Sequence, residues 1–356
     1  MLQTPLIDVH RRAGAKLVEF AGWELPLHYG SQIEEHHSVR RAAGMFDTSH
    51  MLAIDVEGPG ARAFLARALA NNVERLKQPG KAMYSCLLRE DGGILDDLIV
   101  HFAREDLYRV VANAACADQD LAWLRSLKPG QATLSPRRDL AMIAVQGPEA
   151  RERTWAALPE LRAASEPLEP FFGVQAGAVF VSRTGYTGED GLELLLPAAQ
   201  AEQAWTRLAN AGVRPCGLGA RDSLRLEAGM NLYGQDMDQN TTPLESGLGW
   251  TVDLDSGRNF IGRRALATQL PTRSLLGLVL LGRGGVLRAH QRVLLAHGEG
   301  ETTSGGFSPT LQTSIALARV PARTVPGDTA EVEVRGRRLA ARVVRPPFVR
   351  RGRILV

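Results

Sequence analysis

The sequence predicts an α+β fold that ends in a separate all-β domain. Up to about residue 274, segments with helical periodicity alternate with short runs of apolar and β-branched residues. From about Leu275 onward, short alternating strands are separated by glycine and proline turns, a pattern typical of a small barrel or sandwich. A chain of 356 residues is also too long for one small core. We therefore expect a division into residues 1–274 and 275–356.

The predicted helices show apolar residues at helical spacing or charges and turn residues that suit helix ends. Glu34 and Glu35 lie early in one helix and Arg40 and Arg41 lie late, as the helix dipole favours. Prolines and glycines at 58–60 and 128–130 mark a helix start and a helix end. The predicted helices span 34–43, 61–76, 118–127, 149–157, 198–211 and 220–228.

The predicted strands are short apolar runs bounded by turn residues. The strand after the glycine pair at 92–93 is followed by a polar turn at 104–106 and a partner strand. The predicted strands of the first region span 83–88, 94–102, 107–112, 141–145, 174–182 and 192–196. Those of the all-β region span 276–280, 292–295, 315–319, 330–334 and 339–344.

Composition is that of an ordinary folded protein and excludes several classes. The chain is 44% hydrophobic and 23% charged, and no stretch approaches the roughly 18 apolar residues of a membrane span. The N-terminus lacks the layout of a signal peptide, so we expect no export. Cys86, Cys116 and Cys216 are far apart without a C-x-x-C spacing, which suits a reducing cytoplasm.

The charge pattern does not favour nucleic-acid binding over the whole chain. The net charge is +3, and 39 acidic residues are interspersed with 42 basic ones. The exception is the arginine-rich segment 345–353, which suits an anionic ligand. A basic nucleic-acid-binding protein therefore stays an alternative that depends only on this segment and on the sequence pI of about 8.9.

Two adjacent aspartates in a β-prone run are the most informative feature. Asp96 and Asp97 are flanked by Ile, Leu and Val, and successive strand residues point to opposite faces. Burying a lone carboxylate costs several kcal/mol, roughly, unless it is paired or hydrogen-bonded. We expect one aspartate to reach solvent or a backbone partner and the other to face a functional cavity. The alternative is a twisted edge strand with both carboxylates solvated.

A glycine-rich turn at 184–191 and a helix with two arginines are weaker candidates. Tyr186 offers an aromatic wall, and Glu193 offers a carboxylate that accepts two parallel N–H bonds. Arg221 and Arg225 lie four residues apart, after a small-residue segment that permits close backbone approach. A simple hairpin loop and surface ion pairing are the respective alternatives.

Metal and covalent chemistry are not favoured by the motifs. The eight histidines include no i,i+4 pair with a downstream carboxylate, so the spacing of a zinc site is missing. There is no G-x-S-x-G motif, and Cys86 lies in an apolar run. The residues point to a carboxylate in a pocket, without a metal.

Seven segments together resemble the aminomethyltransferase (T-protein) family of the glycine cleavage system, and the resemblance runs almost end to end. The segments are FAGWELP (20–26), FDTSHM (46–51), GGILDDLIV (92–100), TGYTGEDG (184–191), GARDSLRLEAG (219–229), TSGGFSPTL (303–311) and PFV (347–349). The resemblance implies a three-domain cloverleaf around a central folate channel, with a barrel-like C-terminal β domain and two interleaved α+β domains before it.

The resemblance also implies an activity. A one-carbon unit passes from an aminomethyl group on the lipoyl arm of a carrier, the H-protein, to tetrahydrofolate. Ammonia and 5,10-methylenetetrahydrofolate are released, and no metal, membrane or nucleic acid takes part. The alternatives are a folate-dependent demethylase of another methylated donor and a non-catalytic folate-binding regulator of the same fold.

Site residues follow from the resemblance position by position. The essential aspartate of the family falls on Asp97, its pterin-binding glutamate on Glu193 and its binding arginine on Arg221. A further ligand position, of variable residue type in the family, falls on Arg353. The positions that line the folate pocket are Met51, Tyr84, Asn113, Tyr186, Tyr233 and Trp250. Arginines near the channel mouth would meet the folate glutamate tail or an acidic carrier.

Overall fold

The computed structural model describes residues 1–282 and 285–356. The strands in the described residues are β1 (Leu2–Gln3), β2 (Lys16–Phe20), β3 (Trp23–His28), β4 (Gly44–Asp47), β5 (Leu52–Glu57), β6 (Ala82–Leu88), β7 (Ile94–Arg104), β8 (Leu107–Ala112), β9 (Thr133–Pro136), β10 (Leu140–Gln146), β11 (Gly173–Ala176), β12 (Val179–Ser182), β13 (Gly191–Pro197), β14 (Arg214–Pro215), β15 (Arg273–Leu280), β16 (Arg292–Leu295), β17 (Gly298–Ser308), β18 (Thr313–Pro321), β19 (Thr329–Val334), β20 (Arg337–Val344), β21 (Val349–Arg350) and β22 (Arg353–Ile354).

The helices of the described residues are short, with at most ten residues each. They are α1 (Ile7–Arg12), α2 (Gln32–Arg41), α3 (Ala61–Ala68), α4 (Ala117–Ser126), α5 (Ala150–Ala157), α6 (Arg162–Ser165), α7 (Ala201–Asn210), α8 (Leu218–Glu227) and α9 (Arg263–Thr268). Single 3₁₀ turns lie at Val73–Arg75, Pro159–Leu161, Ala198–Gln200 and Gly249–Thr251. None of the helices in the described ranges has the length and hydrophobicity that a membrane crossing requires.

The chain divides into two compact units. The first contains Met1–Leu87, Asp96–Gly185 and Glu189–Arg221, and the second contains Leu88–Leu95, Tyr186–Gly188 and Asp222–Val356. In the first unit a six-stranded sheet has the order β11-β12-β13-β10-β4-β14, and a five-stranded sheet has the order β6-β7-β8-β5-β9. The core beneath the six-stranded sheet packs its apolar side chains against α5 and α7, where Trp205 is buried. Because β7 lies between β6 and β8 in the five-stranded sheet, Asp96 and Asp97 lie on an interior strand.

The second unit contains a closed six-stranded barrel, which confirms the predicted α+β fold with a C-terminal β barrel. The barrel order is β15-β18-β17-β16-β19-β20. Inward-facing residues alternate along its strands and form a core of aliphatic side chains such as Leu278, Val332 and Val343. Phe348 and Val349 pack on another cluster with Leu226 of α8.

Two of the predicted elements differ from the structure, each for a local reason. The helix predicted over 61–76 ends at Ala68, because Leu69 is extended and the Ala70 N–H donates to the Cys86 carbonyl in β6. The strand predicted over 174–182 is a hairpin, β11–β12, that turns at Gly177 with φ of +60°.

Several strands were not predicted, among them β2 to β5 and β9, and β17 is the longest of them. β17 is rich in Gly, Thr and Ser and lacks apolar alternation, yet it pairs with both β16 and β18. Its buried hydroxyls have hydrogen-bond partners in other segments. Thr302 Oγ1 donates to the Arg288 carbonyl at 2.6 Å, and Thr303 Oγ1 donates to Asp236.

A buried cluster around Arg225 makes a stability prediction for the second unit. The guanidinium donates to Asp222 at 2.8 Å, to Asp236 at 2.7 Å and to Ser304 at 2.9 Å. Arg225→Leu leaves the buried Asp236 carboxylate without its counter-charge. We expect the free energy of unfolding to fall by roughly 3–5 kcal/mol in urea titrations followed by circular dichroism.

The matched control is Arg338→Leu on the barrel surface. Arg338 lies 3.5 Å from Glu331 and 3.6 Å from Glu333, and the Arg338 and Glu331 side chains are exposed while Glu333 is partly buried. Its loss should cost no more than about 1 kcal/mol. Equal losses for the two variants would contradict the prediction.

Candidate active site

The two adjacent aspartates have different surroundings in the first unit. Asp96 is fully buried, whereas Asp97 is half-buried. Because β7 lies between β6 and β8, the alternative of a solvated edge strand is wrong. Asp96 takes a backbone partner, since its Oδ2 accepts the Asn113 N–H at 3.0 Å.

Asn113 and Tyr84 hold the Asp97 carboxylate. The Asn113 Nδ2 group donates to Asp97 Oδ1 at 3.0 Å, to the Asp97 carbonyl at 3.0 Å and to Asp96 Oδ1 at 2.9 Å. The Tyr84 hydroxyl donates to Asp97 Oδ2 at 2.6 Å. Each Asp97 oxygen therefore has a fixed donor, which orients the carboxylate as a catalytic group requires. Three residues predicted for the site, Tyr84, Asp97 and Asn113, are brought together.

The pKa of Asp97 is raised from 3.8 to about 7. Burial is the largest cause and the charge of Asp96 is the next, while the Tyr84 and Asn113 hydrogen bonds oppose them. The protonated form of Asp97 therefore favours the folded state at low pH, and this contribution is lost as the pH rises through about 7. A group with this pKa exchanges protons readily at neutral pH.

Glu193 lies on β13, half-buried, with Ala144 and Ser182 as its cross-strand neighbours. The Thr184 hydroxyl donates to Glu193 Oε2, and Ser182 and Thr184 share a hydrogen bond of 2.8 Å. A central strand and a hydroxyl donor thus orient this carboxylate. Thr184 was not among the predicted site residues, although it begins the glycine-rich turn.

Two ion pairs hold the ends of the glycine-rich turn. Arg183 donates to both oxygens of Asp190, at 2.8 and 2.6 Å, and Arg40 pairs with Glu189 at 2.7 Å with both side chains buried. A Cβ at Gly185 would lie 1.9 Å from Oε1 of the buried Gln146 side chain, so a larger residue there would have to displace the Gln146 amide. The turn joins the antiparallel strands β12 and β13, so it is a hairpin loop as the alternative predicted, and one buried and one partly buried charge pair hold its ends.

Arg221 and Arg225 of α8 differ in their surroundings. Arg225 pairs with Asp222 and with Asp236, but its side chain is buried, so the alternative of surface ion pairing is right about the pairing with Asp222 and wrong about exposure. Arg221 lies near His50, and burial together with the Arg221 charge lowers the pKa of His50 to about 4. His50 is therefore neutral at physiological pH. The glycine before α8 packs tightly, since a Cβ at Gly217 would lie 2.3 Å from the Leu27 carbonyl.

The five remaining predicted residues are divided between the two units. In the first unit Met51 packs against an apolar cluster that contains Val111 and Phe180. The other four lie in the second unit. The Tyr186 hydroxyl donates to the Asn231 carbonyl, and the Tyr233 hydroxyl donates to the Ile94 carbonyl at 3.0 Å. Trp250 is 64% exposed, and Arg353 is exposed on the β21–β22 hairpin.

One buried carboxyl group near Asp96 and Asp97 was not among the predicted site residues. Asp120 of α4 is fully buried and lies beside Asp96. The sequence contained a signal for Asp120, because Ala117, Leu121 and Leu124 mark the apolar helix face on which Asp120 also falls.

Within residues 1–282 and 285–356, no group of three or more His, Cys, Asp or Glu residues could hold a metal ion.

Replacing Tyr84 tests the electrostatics of the candidate site. In Tyr84→Phe the carboxylate of Asp97 loses an O–H donor, so its pKa should rise above about 7. The measurement is a carbon NMR titration of aspartate carboxyl carbons. The control is Tyr108→Phe, since Tyr108 stacks on Phe102. An unchanged or lower pKa in Tyr84→Phe would contradict the prediction.

Comparison with known proteins gives two family matches that together cover most of the chain. Residues 6–256 match the GCVT N-terminal domain, and residues 273–350 match the glycine cleavage T-protein C-terminal barrel domain. Two relatives named aminomethyltransferase, from Nitrosomonas eutropha and Burkholderia multivorans, are 57% and 56% identical. The first match covers 99% of both chains, and the second covers 99% of this chain and 98% of the relative.

A solved structure has the same fold. The crystal structure of glycine cleavage system aminomethyltransferase T from Bartonella henselae superimposes with a TM-score of 0.91 at 37% identity. The match covers 100% of this chain and 99% of the other.

Proposed function

This chain belongs to the glycine cleavage T-protein family, and from that premise we propose how its residues carry out the family's reaction. It is a folate-dependent aminomethyltransferase of glycine cleavage. The proposal is that it moves the one-carbon unit of an aminomethyl group, carried on a lipoylated H-protein, to tetrahydrofolate. Ammonia, 5,10-methylenetetrahydrofolate and the dihydrolipoyl arm are the products.

Asp97 is the proposed catalytic residue, and its fixed carboxylate is the observation that carries the proposal. As ammonia leaves the aminomethyl group, positive charge develops on the carbon that is transferred. A carboxylate held by Tyr84 and Asn113 stabilises that charge without having to reorganise. With a pKa of about 7, it also accepts a proton from the attacking nitrogen of the folate.

Glu193 and Arg221 are the proposed folate-binding residues of the first unit. A carboxylate such as Glu193 accepts two parallel N–H bonds from a pterin edge, and Thr184 already orients it. Arg221 supplies a guanidinium, which suits the carboxylates of the folate tail. His50, which lies near Arg221, is neutral at physiological pH and so adds no positive charge beside the guanidinium. Met51, Tyr84 and Asn113 complete the proposed lining from this unit.

Four further residues remain predictions for the same ligand. Tyr186, Tyr233 and Trp250 supply aromatic surface that stacks on rings, and Arg353 supplies a cation on an exposed hairpin. The exposed arginines of segment 345–353 suit an acidic carrier or the folate tail. The family matches to residues 6–256 and 273–350 support the proposed division at 274/275. Three free, buried cysteines support a reducing, cytoplasmic location.

The direct test supplies aminomethylated, lipoylated H-protein together with tetrahydrofolate. We expect ammonia and methylenetetrahydrofolate to appear together in equal amounts, and neither to appear when the lipoylated carrier is omitted. Turnover of another methylated donor without carrier would instead favour the demethylase alternative. Folate binding without any turnover would favour the non-catalytic regulator.

Replacing Asp97 tests its role. Asp97→Asn keeps the size of the side chain and removes its charge, so folate binding and thermal stability should be retained while kcat falls roughly 10²–10⁴-fold. In the wild type, kcat/KM should fall below about pH 7 as Asp97 becomes protonated. Full activity of Asp97→Asn in steady-state assays would overturn the assignment.

A further inference from the structure

A third buried aspartate lies behind the Asp96–Asp97 pair. Asp120 lies on the apolar face of α4 together with Leu121 and Leu124, and it is fully buried. Asp118, two residues earlier on the same helix, is exposed and pairs with Arg138. A carboxyl group on a buried helix face needs a partner or a proton, because an isolated buried charge is strongly disfavoured.

The hydrogen bonds decide which aspartate holds the proton. Neither carboxyl oxygen of Asp120 accepts a hydrogen bond from any described group. Asp96, in contrast, accepts the Asn113 N–H at 3.0 Å and the Asn113 side-chain amide at 2.9 Å. Burial raises the pKa of Asp96, and its two Asn113 bonds oppose that effect. Of the two carboxyl groups, Asp96 is thus the one whose negative charge is hydrogen-bonded, and a protonated Asp120 has an O–H that can donate to it. In agreement, burial and the Asp96 charge raise the pKa of Asp120 to about 11.

The groups that face this pair come from four elements. Asp97 lies next to Asp96 on β7, Tyr84 comes from β6, Asn113 follows β8, and Cys116 precedes α4. In the described ranges no arginine, lysine or histidine forms an ion pair with Asp96, Asp97 or Asp120. The charge of Asp96 is therefore balanced only by hydrogen-bond donors, and each donor matters.

We propose that Asp120 is a positioning residue for the one-carbon transfer: its protonated carboxyl donates a hydrogen bond to Asp96, keeps Asp96 an ionised acceptor for Asn113, and so holds the Asn113 amide against Asp97. The proposal rests on the proposed function for its kinetic consequence. The Asp96 charge maintained in this way also raises the proton affinity of Asp97. Asp120 thereby acts on the reaction through two intervening residues without touching the substrate.

Two variants separate a hydrogen-bond donor from a space-filling role. Asp120→Asn retains a donor of the same size, so kcat and the acid limb of the pH–rate profile should stay as in the wild type. Asp120→Leu removes the donor while keeping the volume. Its kcat should fall about 10- to 100-fold with folate Kd little changed, because Asn113 and Asp97 are no longer held in place. Its acid limb should also move.

An infrared measurement tests the proton without any turnover. At pH 8, in the absence of folate and carrier, the wild type should show the carbonyl stretch of a protonated carboxylic acid. Asp120→Asn should lose this band, and the control Asp118→Asn on the same helix should keep it. The band decides the state of Asp120 even if the transfer reaction is absent, so failure of the proposed function is recognised separately.

Each opposite outcome overturns the proposal. Without the infrared band, or with a band that persists in Asp120→Asn, Asp120 is not the protonated group. A shifted acid limb in Asp120→Asn means that an ionised Asp120 contributes charge at Asp97. If Asp120→Leu lowers only the thermal midpoint and leaves kcat and the pH profile unchanged, its role is packing.

Discussion

The candidate site depends on the way one asparagine satisfies two adjacent carboxylates on an interior strand. Asn113 uses its backbone N–H and side-chain amide to reach both Asp96 and Asp97, at 2.9 to 3.0 Å. Without these donors, two neighbouring negative charges inside a sheet would be too costly to keep. The same arrangement leaves Asp97 only partly stabilised. Its raised pKa is the electrostatic consequence of that compromise.

The rest of the first unit makes this arrangement rigid. β7 lies between β6 and β8, so Tyr84 from one neighbouring strand and Asn113 from the end of the other meet at Asp97. Glu193 is held in the same way, on a strand with neighbours on both sides and with a hydroxyl donor. Functional groups on paired strands hold their positions more accurately than groups on free loops.

The fold was predictable where a pattern acts locally. Helix α4 and strands β7 and β8 begin within one residue of their predicted positions, because apolar spacing and turn residues mark them. Prediction failed where long-range pairing overrides the local signal. Helix α3 ends before Ala70 because the Ala70 N–H donates to the Cys86 carbonyl in β6. Segment β17 is a strand because two barrel neighbours, β16 and β18, pair with it. Such pairings join residues that are distant in sequence.

The sequence by itself determined the α+β class, the family resemblance and the identity of the two aspartates as unusual residues. Only the tertiary structure decided which aspartate is buried, which is half-exposed and how strongly each binds its proton. A pKa depends on burial and on charges that folding brings together from separate segments. Asp120 shows this most clearly, since 24 residues separate it from Asp96 and only the packing of α4 on the sheet makes them neighbours.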